Sequence, residues 1–188
     1  MLKLTGICHS YGKQAVLKDV SLTLRPRQRI ALMGPSGVGK TTLLRVALGL
    51  LRPQKGKVEN RFQKTAAVFQ EPRLLNWRTA AENVNLVLGD KAGTLPKAHG
   101  VLTSLGLGDA ADKYPGELSG GMQQRVAIAR ALAVEADLLI LDEPFKAMDV
   151  SLRREVMARV ARTNAAIVLV THDREEAACL GCEIVQMR

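Results

Sequence analysis

The amino-acid sequence predicts an α/β fold built on a mostly parallel sheet, and three observations carry that prediction. Strand-like runs alternate with helical stretches along the 188 residues. Two of the runs, Leu138 to Leu141 and Ile167 to Val170, are apolar at every position, as strands covered by helices on both faces are. The segment Gly34-Pro35-Ser36-Gly37-Val38-Gly39-Lys40-Thr41 sets a glycine-rich turn between a strand and a helix, where α/β domains hold anions.

The elements follow in order. Val16, Val20, Leu22 and Leu24 stand in a partly alternating stretch, which predicts antiparallel strands and a small β-subdomain ahead of the parallel core. Arg29 to Met33 is the first core strand, and the turn after it leads into a helix beginning near Lys40. Ala66 to Phe69 reads as the next core strand. Residues Ala80 to Leu107 carry helical patterning broken by Gly89, Gly93 and Pro96, which predicts a helical subdomain over about residues 72–130 of a single domain spanning 1–188. Asp137 to Leu141, Ala166 to Thr171 and Glu183 to Met187 complete the strands, and each of the continuously apolar runs ends in a polar residue where a parallel sheet places its ligands. No internal repeat is visible.

Composition bounds the function. A hydrophobic content of 47% is enough to bury one core. No apolar run approaches the ~20 residues that cross a bilayer, and Met1-Leu2-Lys3-Leu4 leads into a strand pattern and not a signal-peptide core, so a soluble, cytoplasmic chain is expected. The net charge of +9 and pI near 9.8 come from scattered Lys and Arg without a block of like charge, which reads as a solvated surface. Anionic lipid or an acidic partner is compatible with that surface. Aromatic content of 3% is too low for base-stacking platforms, and no nucleic-acid partner is expected. Three cysteines fit a reducing compartment. Cys179-Leu180-Gly181-Cys182 has no second pair to complete a metal site and reads as a helix-to-strand turn.

Two motifs carry phosphate chemistry. In the first, the glycines let successive backbone N–H groups face inward, making an anion nest at a helix start. Gly34, Pro35, Ser36, Gly37, Val38 and Gly39 form the cradle, Lys40 is placed to hold β- and γ-phosphates, Thr41 offers its hydroxyl to Mg²⁺, and Thr42 is expected to cap nearby. A side chain at Gly37 or Gly39 would block the phosphates. The second motif, Leu138-Leu139-Ile140-Leu141-Asp142-Glu143-Pro144, ends a strand on two carboxylates: Asp142 to orient Mg²⁺ and its water, Glu143 to polarise an attacking water. An acidic pair after a strand also serves as a helix N-cap; beside a phosphate loop the catalytic assignment is the stronger.

Between them stands Leu118-Ser119-Gly120-Gly121-Met122-Gln123-Gln124-Arg125, and here the sequence resembles the nucleotide-binding subunits of ATP-binding cassette (ABC) transporters, from about Leu4 to Met187. The resemblance implies a P-loop NTPase fold whose helical insertion carries the Leu-Ser-Gly-Gly signature. It further implies that Tyr11 stacks on adenine, Gln70 is the Q-loop glutamine touching Mg²⁺ or water, Asp149 is the D-loop aspartate and His172 is the switch histidine acting on the γ-phosphate. In that family Ser119, Gly120 and Gly121 would face ATP held by the opposite subunit, so a second cassette, most simply an identical copy, is implied. Transmembrane permease subunits, an external solute-binding protein and a peripheral position on the cytoplasmic side of the membrane follow from the same resemblance. Phe69-Gln70-Glu71-Pro72-Arg73-Leu74-Leu75-Asn76-Trp77-Arg78-Thr79, with Glu82-Asn83-Val84, resembles importers of nitrate, sulfonate and taurine. That branch commonly has Pro at Asn76, and Gly and Leu at Lys146 and Met148 on either side of Ala147. Gln54 to Lys64 is shorter than usual, which suggests trimmed antiparallel strands, and no regulatory domain is expected after Arg188. Export, or a soluble cassette in DNA or translation processes, is the alternative; the latter generally carries two cassettes, coiled coils or zinc insertions.

Overall fold

The computed structural model describes residues 1–146 and 148–187. In chain order the elements are β1 (Leu2–Tyr11), β2 (Gln14–Leu24), β3 (Arg29–Met33), α1 (Lys40–Ala47), β4 (Lys55–Asn60), β5 (Thr65–Val68), α2 (Ala80–Val87), α3 (Leu95–Thr103), α4 (Gly120–Ala133), β6 (Leu138–Asp142), α5 (Val150–Ala161), β7 (Ala166–Val170), α6 (Arg174–Cys179) and β8 (Glu183–Gln186). They fall into two compact units: Met1–Thr65 with Asp137–Asp142 and Asn164–Arg188, and Ala66–Ala136 with Glu143–Thr163.

In the first unit, β6, β7, β3 and β8 lie side by side in that order, and all three pairings are parallel. Every residue of β6 and β7 is buried, which is why neither run alternates. Leu43, Leu44, Val46 and Ala47 of α1 are buried within the same unit. The antiparallel sheet runs β2-β1-β4. Its strands are bulged: the β1–β2 register shifts between Leu4 and Ile7 and again before Ser10, so the alternation read from Val16 to Leu24 is only partial. Leu17 and Leu24 are buried; Val16, Val20 and Leu22 are half-buried. Gln54 to Lys64 makes a single strand of six residues, β4.

The strand boundaries differ from the sequence expectation by one residue where end groups serve as anchors. Asp137 is not in β6; its N–H donates to the Lys64 carbonyl, and its carboxylate accepts from the Lys64 N–H at 3.1 Å. Thr171 is not in β7, because its hydroxyl accepts from the Asp173 N–H in the following turn. The expected turn at Cys179 to Cys182 is present, with Cys179 ending α6 and Cys182 preceding β8.

The second unit is mainly helical. Thr79 opens α2 with a reciprocal cap: its hydroxyl accepts from the Glu82 N–H at 3.2 Å, and Glu82 accepts from the Thr79 N–H at 2.8 Å. Gly89 interrupts after α2, and Pro96 sits in the first turn of α3, where a missing N–H costs nothing. The buried Arg125 of α4 donates to the Leu105 and Gly106 carbonyls at 3.0 and 3.1 Å, tying α4 to the end of the α3 segment.

The irregular stretch from Phe69 to Thr79 is held by three side chains of this unit. Gln124 donates to the Phe69 carbonyl at 3.1 Å. Arg130 donates to Pro72 and Arg73 carbonyls at 2.6 and 2.9 Å. Asn83, fully buried, accepts from the Leu75 N–H at 2.8 Å and donates to the carbonyls of Leu75, Arg78 and Thr79. Among the described residues no helix is long and apolar enough to cross a membrane.

Two tests follow from this packing. Replacing Asn83 by Ala strands buried loop groups, and the expected loss is about 1–3 kcal/mol, read as a lower urea midpoint; an unchanged midpoint would mean that water replaces the amide. Burial pushes the Cys182 thiol up to about 11 against the opposing charge of Arg29, while Cys179 is exposed. At pH 8 iodoacetamide is expected to label Cys179 first; equal rates would contradict the burial. Because the folded state holds the Cys182 proton more tightly than the unfolded chain, its contribution to stability is complete below the unfolded thiol range and is lost as pH rises through about 11.

Candidate nucleotide site

The first unit assembles the phosphate loop. β3 delivers the chain into a turn in which Gly37 and Gly39 take φ of 80° and 103°. The two glycines are required for different reasons. A Cβ at Gly37 meets nothing within 4 Å, so its backbone angle alone excludes other residues. At Gly39 a Cβ would stand 2.8 Å from a Leu17 methyl and 2.9 Å from the Val16 carbonyl, so β2 closes that position without any ligand. Gly39 is the N-cap of α1, with no side-chain cap bond. Thr42, expected to cap, instead lies buried within the first turn, because the helix begins two residues before it.

Lys40 is buried, and its ammonium donates to the Gly34 and Pro35 carbonyls at 2.8 and 2.9 Å, folding the side chain back along the loop. Pro35 and Ser36 are exposed and Val38 half-buried. The Thr41 hydroxyl donates to the Asp142 carboxylate at 2.8 Å, across 101 positions of sequence. Asp142 is buried and ends β6 level with Val170 of β7, which in turn is level with Leu32 of β3. The loop, Asp142 and the Thr171-His172 turn therefore leave the sheet at one height.

His172 is exposed, in a turn fixed from both sides. Thr171 donates to the buried Glu176 carboxylate at 2.5 Å and accepts from the Asp173 N–H at 3.0 Å, and Asp173 caps α6 through the Glu175 N–H. Tyr11 ends β1 opposite Gln14, half exposed, with its ring edge-to-face on His9 at 4.9 Å.

The second unit holds the remaining candidates. Gln70 is exposed between the anchored residues Phe69 and Pro72. Glu143 follows Asp142 with φ of 45°, and its carboxylate pairs with the Lys146 ammonium at 3.1 Å. Gln70, Gly120, Glu143 and Lys146 line one cavity of about 270 Å³. Ser119 caps α4, accepting from the Met122 N–H at 3.3 Å, so Gly120 and Gly121 form its first turn. Asp149 caps α5; bonds from the Leu152 N–H and the Ser151 hydroxyl hold its carboxyl below the usual carboxylate range. Ala147 lies outside the described residues.

The structure thus joins Lys40, Thr41 and Asp142 in one unit and Gln70, Gly120 and Glu143 around one cavity in the other. Sequence reasoning missed the anchoring roles of Asn83, Gln124 and Arg130. Asn83 had a signal: an Asn inside a helix is unfavourable unless its amide serves nearby backbone.

The family model described as ABC transporter matches residues 17–146. The aliphatic sulfonates import ATP-binding protein SsuB 1 of Rhodococcus jostii is 42% identical over 193 residues, covering 98% of this chain and 78% of that protein. The taurine import ATP-binding protein TauB of Escherichia coli is 38% identical over 200 residues, with coverage of 98% and 78%. The dimeric, post-hydrolysis structure of the ATP-binding cassette MJ0796 bound to ADP and Pi superposes with a TM-score of 0.92 at 30% identity, covering all of this chain and 94% of that one. The chain belongs to the ABC transporter family and is an ATPase cassette of it.

Proposed function

We propose that this ATPase drives import of a small anionic solute, a sulfonate-like compound being the nearest chemical description, through partner membrane permeases. The site observation that supports nucleotide hydrolysis most directly is the Thr41–Asp142 hydrogen bond, which brings a helix-start hydroxyl and a buried carboxylate to one point beside the phosphate loop. The solute class rests on relatives whose names specify sulfonates and taurine.

A magnesium ion fits this donor set. Mg²⁺ takes few protein ligands and completes its shell with phosphate oxygens and water, so one hydroxyl and one carboxylate suffice. Among the described residues no three acidic, His or Cys groups gather as a metal cluster, and such a site needs none. Thr41 and Asp142 would hold the ion, with Gln70 reaching it or its water, and the bound ion neutralises charge developing on the transferred phosphoryl group.

Lys40 leaves the loop carbonyls for the β- and γ-phosphates, where an ammonium bonded to a charged oxygen is held more strongly than one bonded to an uncharged carbonyl. The backbone N–H groups of the loop from Ser36 to Thr42 cradle the phosphates, and Tyr11 offers its exposed face to adenine. Glu143 accepts a proton from the attacking water, and His172 donates to the γ-phosphate. Ser119, Gly120 and Gly121, at the positive end of α4, complete the site of a second cassette, and Asp149 stands at the junction. The working form is thus a dimer, with a copy of this chain as the simplest partner and two ATP sites. Residues 1–188 act as one cassette whose helical subdomain, about 72–130, meets the permease through the anchored stretch from Gln70 to Arg78. The assembly sits on the cytoplasmic face of the membrane, an external solute-binding protein supplies the solute, and nucleic acid takes no part.

Glu143→Gln keeps the shape and removes the base, so the ATPase rate is expected to fall by about 10²–10⁴-fold while ATP converts the chain to a dimer by size-exclusion chromatography. Parental hydrolysis in this variant would end the assignment of Glu143. The same variant with ATP, used as bait in detergent-solubilised native membranes, is expected to retain a multi-spanning permease; recovery of soluble or DNA-bound proteins alone would overturn the transport reading and leave the ATPase standing.

A further inference from the structure

Lys146 is unexplained by the proposed chemistry, yet it touches the residue on which that chemistry turns. Its ammonium lies 3.1 Å from the Glu143 Oε2 atom, three residues away across the turn that leaves β6. It lines the same cavity as Gln70, Gly120 and Glu143. The two ends of the pair differ in freedom. The Glu143 side chain is 17% exposed on a backbone held at φ 45°, whereas the Lys146 side chain is 68% exposed on a flexible stem. Opening the pair therefore moves the lysine and leaves the carboxylate in place.

We propose that Lys146 is a positioning residue that restrains Glu143, so that turnover depends on how readily the Lys146–Glu143 ion pair opens. The inference rests on Glu143 being the base. In hydrolysis the water proton passes to a Glu143 oxygen, the water oxygen bonds to the γ-phosphorus, and the bond to the β–γ bridging oxygen breaks with its electron pair going to ADP. A carboxylate oxygen already accepting from an ammonium has one lone pair occupied and less charge to offer that proton. Lys146 thus lowers the strength of the carboxylate as an acceptor until the ammonium swings away. Because its lysine end is exposed, the pair is weakly held and the restraint is modest and adjustable, and contact with a partner surface that draws the lysine off would raise the rate.

The test is a steady-state ATPase comparison on the full chain. Lys146→Met keeps the stem and removes the charge; kcat is expected to rise about two- to fivefold with KM unchanged, in keeping with the strength of an exposed ion pair. Lys146→Gln should behave alike, and Lys146→Arg should restore the parental rate. At 1 M NaCl, where charges are screened within about 3 Å, the rates of the parent and Lys146→Met should converge. In a Glu143→Gln background Lys146→Met should add nothing. A kcat in Lys146→Met and Lys146→Gln at or below the parent, with Glu143→Gln still inactive, overturns the restraint alone. Parental activity in Glu143→Gln overturns the restraint and the base assignment together.

Discussion

The hydrogen bond from Thr41 to Asp142 constrains more of this structure than any other single contact. It demands that the first turn of α1 and the last residue of β6 meet, although β3 and β6 are separated in the sheet by β7. The parallel, in-register sheet satisfies that demand: Leu32, Val170 and Asp142 stand level, so that the segments following them emerge together. The apolar runs that made β6 and β7 legible are the means to this end, since a sheet buried on both faces fixes the height of its strands by packing.

The phosphate loop is shaped by the protein as much as for the nucleotide. Sequence reasoning assigned Gly37 and Gly39 to clearance for phosphates, which is a ligand argument. At Gly39 the neighbours are Leu17 and Val16 of β2, so the antiparallel sheet and the loop specify one another within the same unit. The ammonium of Lys40, held by the carbonyls of Gly34 and Pro35, ties the start of α1 back onto the same loop, so its buried side chain is part of the loop's own structure.

What was legible in the sequence and what was not divides along the range of the interactions. Strands β3, β6 and β7 and the start of α1 at Lys40 follow from local runs and from the glycine turn, so they could be read directly. Strand ends moved by one residue because Asp137 and Thr171 use their side chains on neighbouring turns. Thr42 was misread as a cap because the helix starts earlier, on a glycine that offers no side chain. Arg130 acts on carbonyls brought near only by the fold of the helical unit, and Lys146 reaches Glu143 through a left-handed backbone angle at a non-glycine residue. Spacing in the sequence carries none of these.

The helical unit shows how a loop can be ordered and still leave one residue free to act. Between Phe69 and Thr79 the backbone is tied at both ends and in the middle, by Gln124, Arg130 and Asn83, and Arg73 adds a guanidinium over the Phe69 ring at 4.2 Å. Gln70 stands exposed between two of these ties. Gln124, which holds Phe69, lies on α4 four residues after Gly120, in the helix that Ser119 caps. A displacement of the signature helix would therefore be felt at Phe69 through one amide hydrogen bond, and at Pro72 and Arg73 through Arg130 of the same helix. Helix α4 and the stretch from Phe69 to Arg73 are thus joined directly, by polar side chains of the helix that hold the loop backbone at three carbonyls.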